Sequence, residues 1–146
     1  SKDIHPEQPY IVMELARRGS LDMLDDVLVW QDLYGIIQSL LQALGHAHAR
    51  GILHRDIKGS NLLIDNQGVL KLADFGLARP CALENSRTLT NRVITLWYRP
   101  PELLLGTQTY GPAVDMWSAG CIFAELLYGK PILPVRDSSF VISLGI

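Results

Sequence analysis

The sequence predicts a mainly α fold with small β hairpins. Apolar residues recur at helical spacing over residues 30–49 and cluster again over residues 114–128, which predicts two helices. Residues 62–64 and 69–72 form two brief apolar runs of strand length. With 146 residues, of which 48% are apolar, the chain has enough apolar surface for one ordinary core. We therefore expect one domain, or a piece of one.

The first expected element is a strand from Pro9 to Leu15, because P-Y-I-V-M-E-L is short and rich in β-branched and aromatic residues. A helix from Trp30 to Ala49 follows, with apolar side chains three and four residues apart and Gly51 placed to end it. His46 and His48 stand two apart on this helix and so face different ways. We interpret both as structural rather than as a metal pair.

The two apolar runs, Leu62–Ile64 and Val69–Leu72, are predicted to pair as a hairpin, because the D-N-Q-G between them favours a tight turn. Residues 74–95 include Pro80 and show no steady period. A connection of that length is uncommon unless it is functional. We therefore expect the regulatory segment of the protein there.

The second helix is predicted from Val114 to Tyr128, with Gly129 and Pro131 ending it. Its apolar residues surround the axis, which predicts a buried helix. The tail, residues 135–146, has no helical period and contains the β-prone run Phe140–Leu144. Such an exposed run predicts poor solubility.

Composition excludes several classes of function. Thirteen Lys and Arg against fifteen Asp and Glu give a formal charge of −2, without a dense basic block, so direct binding to nucleic acid is not expected. The longest strongly apolar stretch, residues 119–127, is too short to span a membrane. Cys81 and Cys121 form neither a disulfide framework nor a zinc motif and are interpreted as reduced intracellular thiols.

Two motifs carry the chemistry. H-R-D-I-K-G-S-N occupies residues 54–61, between the first helix and the hairpin, and D-F-G occupies residues 74–76, after the hairpin. These are signatures of protein kinases, in the expected order and on the expected elements. His54 itself is interpreted as a packed anchor of the loop and not as a base.

Phosphoryl transfer passes through a loose transition state, so a kinase mainly positions groups and neutralises charge. Asp56 is the candidate base for the substrate hydroxyl, and Lys58, two residues on, would neutralise the γ-phosphate of ATP. Asn61 and Asp74 would supply hard oxygen ligands to Mg²⁺ beside the phosphates. ATP and Mg²⁺ are therefore the expected cofactors.

Further stretches extend the resemblance. N-R-V-I-T-L-W-Y-R-P-P-E-L-L-L-G, residues 91–106, resembles the end of the activation segment of cyclin-dependent kinases, and D-M-W-S-A-G-C-I-F-A-E-L, residues 115–126, is similar to the central helix of the kinase carboxy-terminal lobe. The chain is most similar to the transcription-associated plant C-type members, whose known substrate is the carboxy-terminal repeat of RNA polymerase II. The resemblance implies a protein-kinase-like fold with an incomplete carboxy-terminal lobe.

The resemblance also implies regulatory and substrate-binding residues. Thr90 matches the threonine that is phosphorylated on activation, and Arg55 and Arg79 match two arginines that clasp its phosphate. A solvated loop threonine is the alternative interpretation of Thr90.

Thr95 matches the hydroxyl that bridges Asp56 and Lys58. Ile94 and Arg99 fall near the pocket that accepts a proline after the target Ser or Thr. A preference for Ser-Pro follows from the resemblance.

The opening strand matches the hinge that holds adenine. By the resemblance, Met13 is the gatekeeper, the backbone groups of Glu14 and Ala16 pair with the base, and Leu63 and Ala73 line its lower face. The alternative is that this apolar strand only packs in a core.

Residues 1–146 are thus interpreted as a partial kinase domain, from the hinge strand to the central helix, with a divergent tail at 135–146. The glycine-rich loop and the lysine–glutamate pair of the amino-terminal lobe are not found. The predicted function is transfer of the ATP γ-phosphate to Ser or Thr of a protein substrate. The alternative is a non-catalytic binding module or decoy. Family resemblance adds a cyclin partner, doubtful for this chain, and a nuclear location, otherwise a cytoplasmic one.

Overall fold

The computed structural model describes residues 13–24, 29–80 and 93–134. Its helices are α1 (Trp30–His48), the short α2 (Pro101–Leu104) and α3 (Ala113–Tyr128). The strands are β1 (Ile52–Leu53), β2 (Leu62–Ile64), β3 (Leu70–Leu72) and β4 (Arg79–Pro80). Four 3₁₀ turns, at residues 21–23, 59–61, 75–77 and 96–98, complete the described elements. The predicted class, mainly α with small β hairpins, is confirmed.

The core forms where α1 packs against the hairpin and α3. The buried stripe of α1 recurs at three and four residues, as its sequence predicts. Together with β2, β3 and α3 it forms one apolar cluster, whose most deeply buried members include Leu40, Leu44, Ile57, Leu62 and Val114. The cluster includes Ile57 of the loop between β1 and β2, so the H-R-D motif is anchored in the core.

Two antiparallel pairs of strands complete the framework. β2 pairs with β3 in the register Leu62↔Leu72 and Ile64↔Leu70, which confirms the predicted hairpin. β1 pairs with β4, which ties the segment after D-F-G to the end of α1. The predicted functional loop, residues 74–95, therefore begins with ordered backbone.

The predicted strand Pro9–Leu15 is wrong over its described residues, because residues 13–15 lie outside any strand. The chain meets the edge of β2 a few residues later. The Ile64 N–H donates to the Gly19 carbonyl at 2.9 Å, and Ser20 forms a bridge with Leu63. A strand needs a partner edge, and the described residues offer that edge to residues 18–20 instead.

The prediction that α3 is buried on all sides is also wrong. Val114, Ser118 and Ile122 are buried, whereas Trp117 is 41% and Leu127 is 56% exposed. Among the described residues, α1 and the turn at 96–98 pack on one side of this helix.

No helix of the described ranges is long and apolar enough to cross a membrane. Thr90, Cys81 and the tail 135–146 lie outside the described residues.

Candidate active site

The centre of the candidate site is the carboxylate of Asp56, in the loop between β1 and β2. Asp56 is 6% exposed. Lys58 Nζ lies 2.7 Å from Asp56 Oδ2, and Thr95 Oγ1 donates to Oδ1 at 3.2 Å. Asn61 Nδ2 donates to Oδ2 at 3.1 Å and to the Asp56 carbonyl at 2.8 Å. The structure thus brings four predicted residues together. Of the predicted bridge between Asp56 and Lys58, Thr95 makes the contact with Asp56.

Local backbone geometry explains why Lys58 reaches Asp56. Lys58 is extended, with φ −158° and ψ 162°, and side chains two residues apart on an extended chain point the same way. The 3₁₀ turn at 59–61 then brings Asn61 back toward Asp56. A Cβ at Gly59 would lie 3.0 Å from Asp22 Cβ, so the glycine lets this turn pack closely against the turn at 21–23.

The buried carboxylate of Asp115 in α3 accepts hydrogen bonds from the backbone of the H-R-D loop. Asp115 is fully buried, and it accepts the backbone N–H groups of His54 at 2.9 Å and Arg55 at 2.8 Å. His48 Nε2 lies 2.8 Å from the same carboxylate. These bonds hold Arg55 at φ +67°, a conformation that side chains rarely adopt. Our sequence analysis missed this role of Asp115; an acidic residue within an apolar helix was the available signal.

His54 links the loop to the D-F-G segment. Its Nδ1 accepts the Asp56 N–H at 3.3 Å, and its Nε2 lies 2.9 Å from the Ala73 carbonyl. A carbonyl only accepts, so the ring proton lies on Nε2. The ring also contacts Phe75 edge to face at 4.8 Å. The interpretation of His54 as a packed anchor is confirmed, as is the structural role of His48.

A cavity of about 620 Å³ opens beside this loop. Its walls combine apolar residues with the polar ends of the two motifs. It is lined by Met13, Glu14, Ala16, Ser60, Asn61, Leu63, Lys71, Leu72, Ala73, Asp74, Phe75 and Gly76. All the residues predicted to bind nucleotide, except Lys58, line this one cavity. Its volume falls within the range of small-molecule sites.

Asn61 and Asp74 stand side by side at the polar end of the cavity. The Ala73 N–H donates to the Asn61 carbonyl at 2.9 Å, which brings the residue after Ala73 next to Asn61. Asp74 has φ +60° and is exposed, and its Oδ1 accepts from the Gly76 N–H at 3.2 Å. A Cβ at Gly76 would lie 2.9 Å from that oxygen, so a side chain at this position would displace the Asp74 carboxylate from its bond to the Gly76 N–H.

This donor set fits Mg²⁺. Because Asn61 uses its amide nitrogen on Asp56, its amide oxygen is the atom suited to a cation, as is the carboxylate of Asp74. Within the described ranges, no group of three or more His, Cys, Asp and Glu side chains could hold a metal ion. Mg²⁺ accepts such a sparse protein set, since phosphates and water complete its octahedron.

The hinge segment is tied to the hairpin by an ion pair that the sequence analysis missed. Lys71 Nζ lies 2.5 Å from Glu14 Oε1 and 3.7 Å from Asp65 Oδ2. The bond to Glu14 raises the pKa of Lys71. A lysine within a short apolar strand was the only sequence signal. The pair holds Glu14 at the edge of the cavity.

The two predicted phosphate-binding arginines differ in their surroundings. Arg55 is 2% exposed; its Nε donates to the Leu77 carbonyl at 2.7 Å and its Nη1 to the Tyr110 hydroxyl at 3.0 Å. Arg79 is exposed and donates to the carbonyl of the preceding Ala78. Thr90, their predicted partner, lies outside the described residues.

Ile94 has an unusual backbone. It is buried and has φ +67°, which is strained for a β-branched residue. Its carbonyl accepts from Arg99 Nη2 at 2.9 Å and Nε at 3.2 Å, while the Val93 carbonyl accepts from Arg99 Nε at 2.9 Å. Burial lowers the pKa of Arg99. One arginine therefore occupies both carbonyls at this point of the site.

Comparison with known proteins supports the resemblance to protein kinases that the two motifs predict. The chain matches the protein kinase domain family over residues 4–143. It is 71% identical over 101 residues to "Cyclin-dependent kinase C-1" of Oryza sativa subsp. japonica, covering 69% of this chain and 20% of that protein. It is 70% identical over 103 residues to "Cyclin-dependent kinase C-2" of Arabidopsis thaliana, covering 70% of this chain and 20% of that protein. The chain thus spans about a fifth of the length of these relatives.

The fold has a solved counterpart. A chain of the CAK complex from Chaetomium thermophilum bound to ATP-gamma-S superposes with a TM-score of 0.83 at 46% identity, over 90% of this chain and 42% of that one. The predicted protein-kinase-like fold and the resemblance to plant C-type cyclin-dependent kinases are confirmed. The chain belongs to the protein kinase domain family.

Proposed function

We propose that this chain forms the carboxy-terminal-lobe side of the active site of a serine/threonine kinase of the cyclin-dependent type. The observation that carries the proposal is the cluster of Lys58, Asn61 and Thr95 around the Asp56 carboxylate, beside a cavity lined by most of the residues predicted to bind nucleotide. The neighbouring CAK chain belongs to a complex bound to ATP-gamma-S, which supports ATP as the ligand of this cavity.

In the proposed reaction the substrate hydroxyl approaches Asp56, whose carboxylate orients it and takes its proton. The hydroxyl oxygen forms a bond to the γ-phosphorus as the bond to the β,γ-bridging oxygen breaks. Lys58 neutralises charge on the transferred group from its position 2.7 Å from Asp56. Mg²⁺, held by Asn61 and Asp74, would supply charge neutralisation at the phosphates.

We further propose that the substrate carries Ser-Pro, as in the carboxy-terminal repeat of RNA polymerase II. With the Ile94 carbonyl occupied by Arg99, the backbone N–H of a residue after the target serine has no acceptor there. A buried donor without a partner costs about 1–3 kcal/mol. Proline has no N–H and avoids this cost. A cyclin partner and a nuclear location belong to the same proposal for the whole protein.

The direct test is ATP- and Mg²⁺-dependent phosphorylation of a Ser-Pro repeat peptide by the chain, beside an Asp56→Asn variant. We expect the variant to bind a fluorescent ATP analogue like wild type and to lose about 10²–10⁴-fold in transfer rate. The matched control is Asp32→Asn, at an exposed position in the first turn of α1. Nucleotide binding without transfer by wild type would favour the alternative, a non-catalytic binding module. Failure to bind nucleotide at all would contradict the proposal.

A further inference from the structure

Arg55 presents a buried positive charge without a carboxylate partner in the described parts of the chain. The side chain is 2% exposed, and its two side-chain hydrogen bonds go to neutral oxygens, the Leu77 carbonyl at 2.7 Å and the Tyr110 hydroxyl at 3.0 Å. A guanidinium stays charged in proteins. Burying such a charge is costly unless it is paired, so the arrangement is suited to an incoming anion.

Tyr110 lies in the loop that leads into α3, half-buried against the core. The stretch from Tyr110 to Asp115 contacts both the backbone and the guanidinium of Arg55. The Asp115 carboxylate accepts the Arg55 backbone N–H at 2.8 Å, and the Tyr110 hydroxyl accepts from Nη1. Because α3 starts at Ala113, both contacts are anchored to the amino-terminal end of one helix. These contacts fix the position of the Arg55 guanidinium relative to α3.

We propose that Tyr110 is a positioning residue, which orients the Arg55 guanidinium so that its remaining donors face an oxyanion. The inference rests on the proposed function in so far as that oxyanion is a phosphate of the activation segment. Tyr110 is not among the residues that line the nucleotide cavity. It acts through Arg55, by removing the side-chain freedom that anion binding would otherwise have to restrict.

Removal of the Tyr110 hydroxyl tests this role. Inorganic phosphate is titrated into the ¹⁵N-labelled chain while the Arg55 Nε–H signal is followed by NMR, in wild type, Tyr110→Phe and Tyr128→Phe. Tyr128 is 65% exposed at the end of α3, so its variant makes the same chemical change away from Arg55. Restricting one such side chain on binding corresponds to about fivefold in affinity, so we expect about fivefold weaker phosphate binding in Tyr110→Phe and none of this loss in Tyr128→Phe.

Equal affinity in wild type and Tyr110→Phe would overturn the proposal. If the Phe variant does not fold, Tyr110→His, which keeps a ring with a hydrogen-bonding atom, is compared instead, with a smaller loss expected. A wild-type Arg55 signal that ignores phosphate would overturn both the role of Tyr110 and the assignment of Arg55 to the phosphosite. It would leave the kinase proposal standing, because that proposal is decided by ATP-dependent transfer and the Asp56→Asn variant.

Discussion

At the scale of single residues, Arg99 connects backbone strain with substrate choice. It occupies the carbonyls of Val93 and the left-handed Ile94. Arg99→Lys keeps the charge but loses the fork that reaches both carbonyls. We expect the Ile94 carbonyl to become free for a substrate N–H, so the preference for a Ser-Pro over a Ser-Ala peptide should fall about tenfold.

The ratio of the dissociation constants for the two peptides measures this preference without depending on transfer. Arg50→Lys, at an exposed arginine beyond α1, is the matched control. An unchanged ratio in Arg99→Lys would show that the occupied carbonyl does not select proline.

Cys121 is expected to be unreactive in the folded chain. Burial in α3 raises the pKa of its thiol, and nearby Glu125 raises it further. At pH 8 the folded protein therefore carries less thiolate than an exposed cysteine would, and thiolate is the reactive form. In a Cys81→Ser variant, alkylation by iodoacetamide followed by mass spectrometry should be slow without urea and fast in urea. Rapid alkylation of the folded variant would contradict this burial.

The proposed catalytic residues could be predicted because they belong to short contiguous motifs. Asp56, Lys58 and Asn61 occupy one stretch, and the structure places their side chains in contact. Asp115 and Tyr110 could not be predicted in the same way. Their roles depend on contacts with Arg55 across 60 and 55 residues of sequence, and such contacts exist only after α3 has packed.

At the scale of elements, α3 ends where the backbone turns left-handed. Gly129 has φ +77°, and its N–H donates to the Glu125 carbonyl at 2.8 Å. Gly129→Ala should lower the free energy of unfolding by about 1 kcal/mol, because a Cβ disfavours this conformation. Gly120→Ala, inside α3 with open space around it, should raise it by about 0.5–1 kcal/mol.

Urea unfolding followed by circular dichroism gives both values. The two substitutions are chemically identical, so opposite signs isolate the effect of backbone conformation. A loss of stability in Gly120→Ala would mean that this face of α3 is more crowded than the structure shows.

The bounds of an element could be predicted where residues within or next to that element determine them, as apolar spacing does for a helix and turn residues do for a hairpin. The predicted helix Trp30–Ala49 is observed as Trp30–His48, and the predicted strand Val69–Leu72 begins one residue later. The strand Pro9–Leu15 could not be judged in this way, since a strand depends on a partner edge elsewhere in the chain. The exposure of α3 depends likewise on which neighbours pack against it.

At the scale of the whole molecule, the described surface carries many large apolar side chains. Several large side chains are between 48% and 75% exposed, among them Met13, Leu15, Trp30, Tyr34, Phe75, Leu127 and Tyr128. Exposed apolar patches favour association. We therefore expect the isolated chain to self-associate at micromolar concentration, as the sequence of its tail also predicts.

Sedimentation velocity measures this association. Trp30→Lys combined with Tyr34→Lys, one helical turn apart on the exposed side of α1, should increase the monomer fraction. The control places lysine at Gln38 and Gln42, two exposed polar positions of the same helix. A wild-type chain that sediments as a 16.3 kDa monomer would contradict the prediction.

The buried carboxylate of Asp115 couples the opening of the H-R-D loop to the opening of α3. The amide protons of His54 and Arg55 belong to a loop, yet both are hydrogen-bonded to a side chain of α3 and buried. They can exchange with deuterium only when that helix separates from the loop. Native-state exchange should therefore give these two amides the protection of the α3 backbone, whereas the Asn66 amide at the exposed hairpin turn should exchange quickly. The loop that contains the H-R-D motif and α3 would then open as one cooperative unit, which makes the loop as long-lived as the core beneath it.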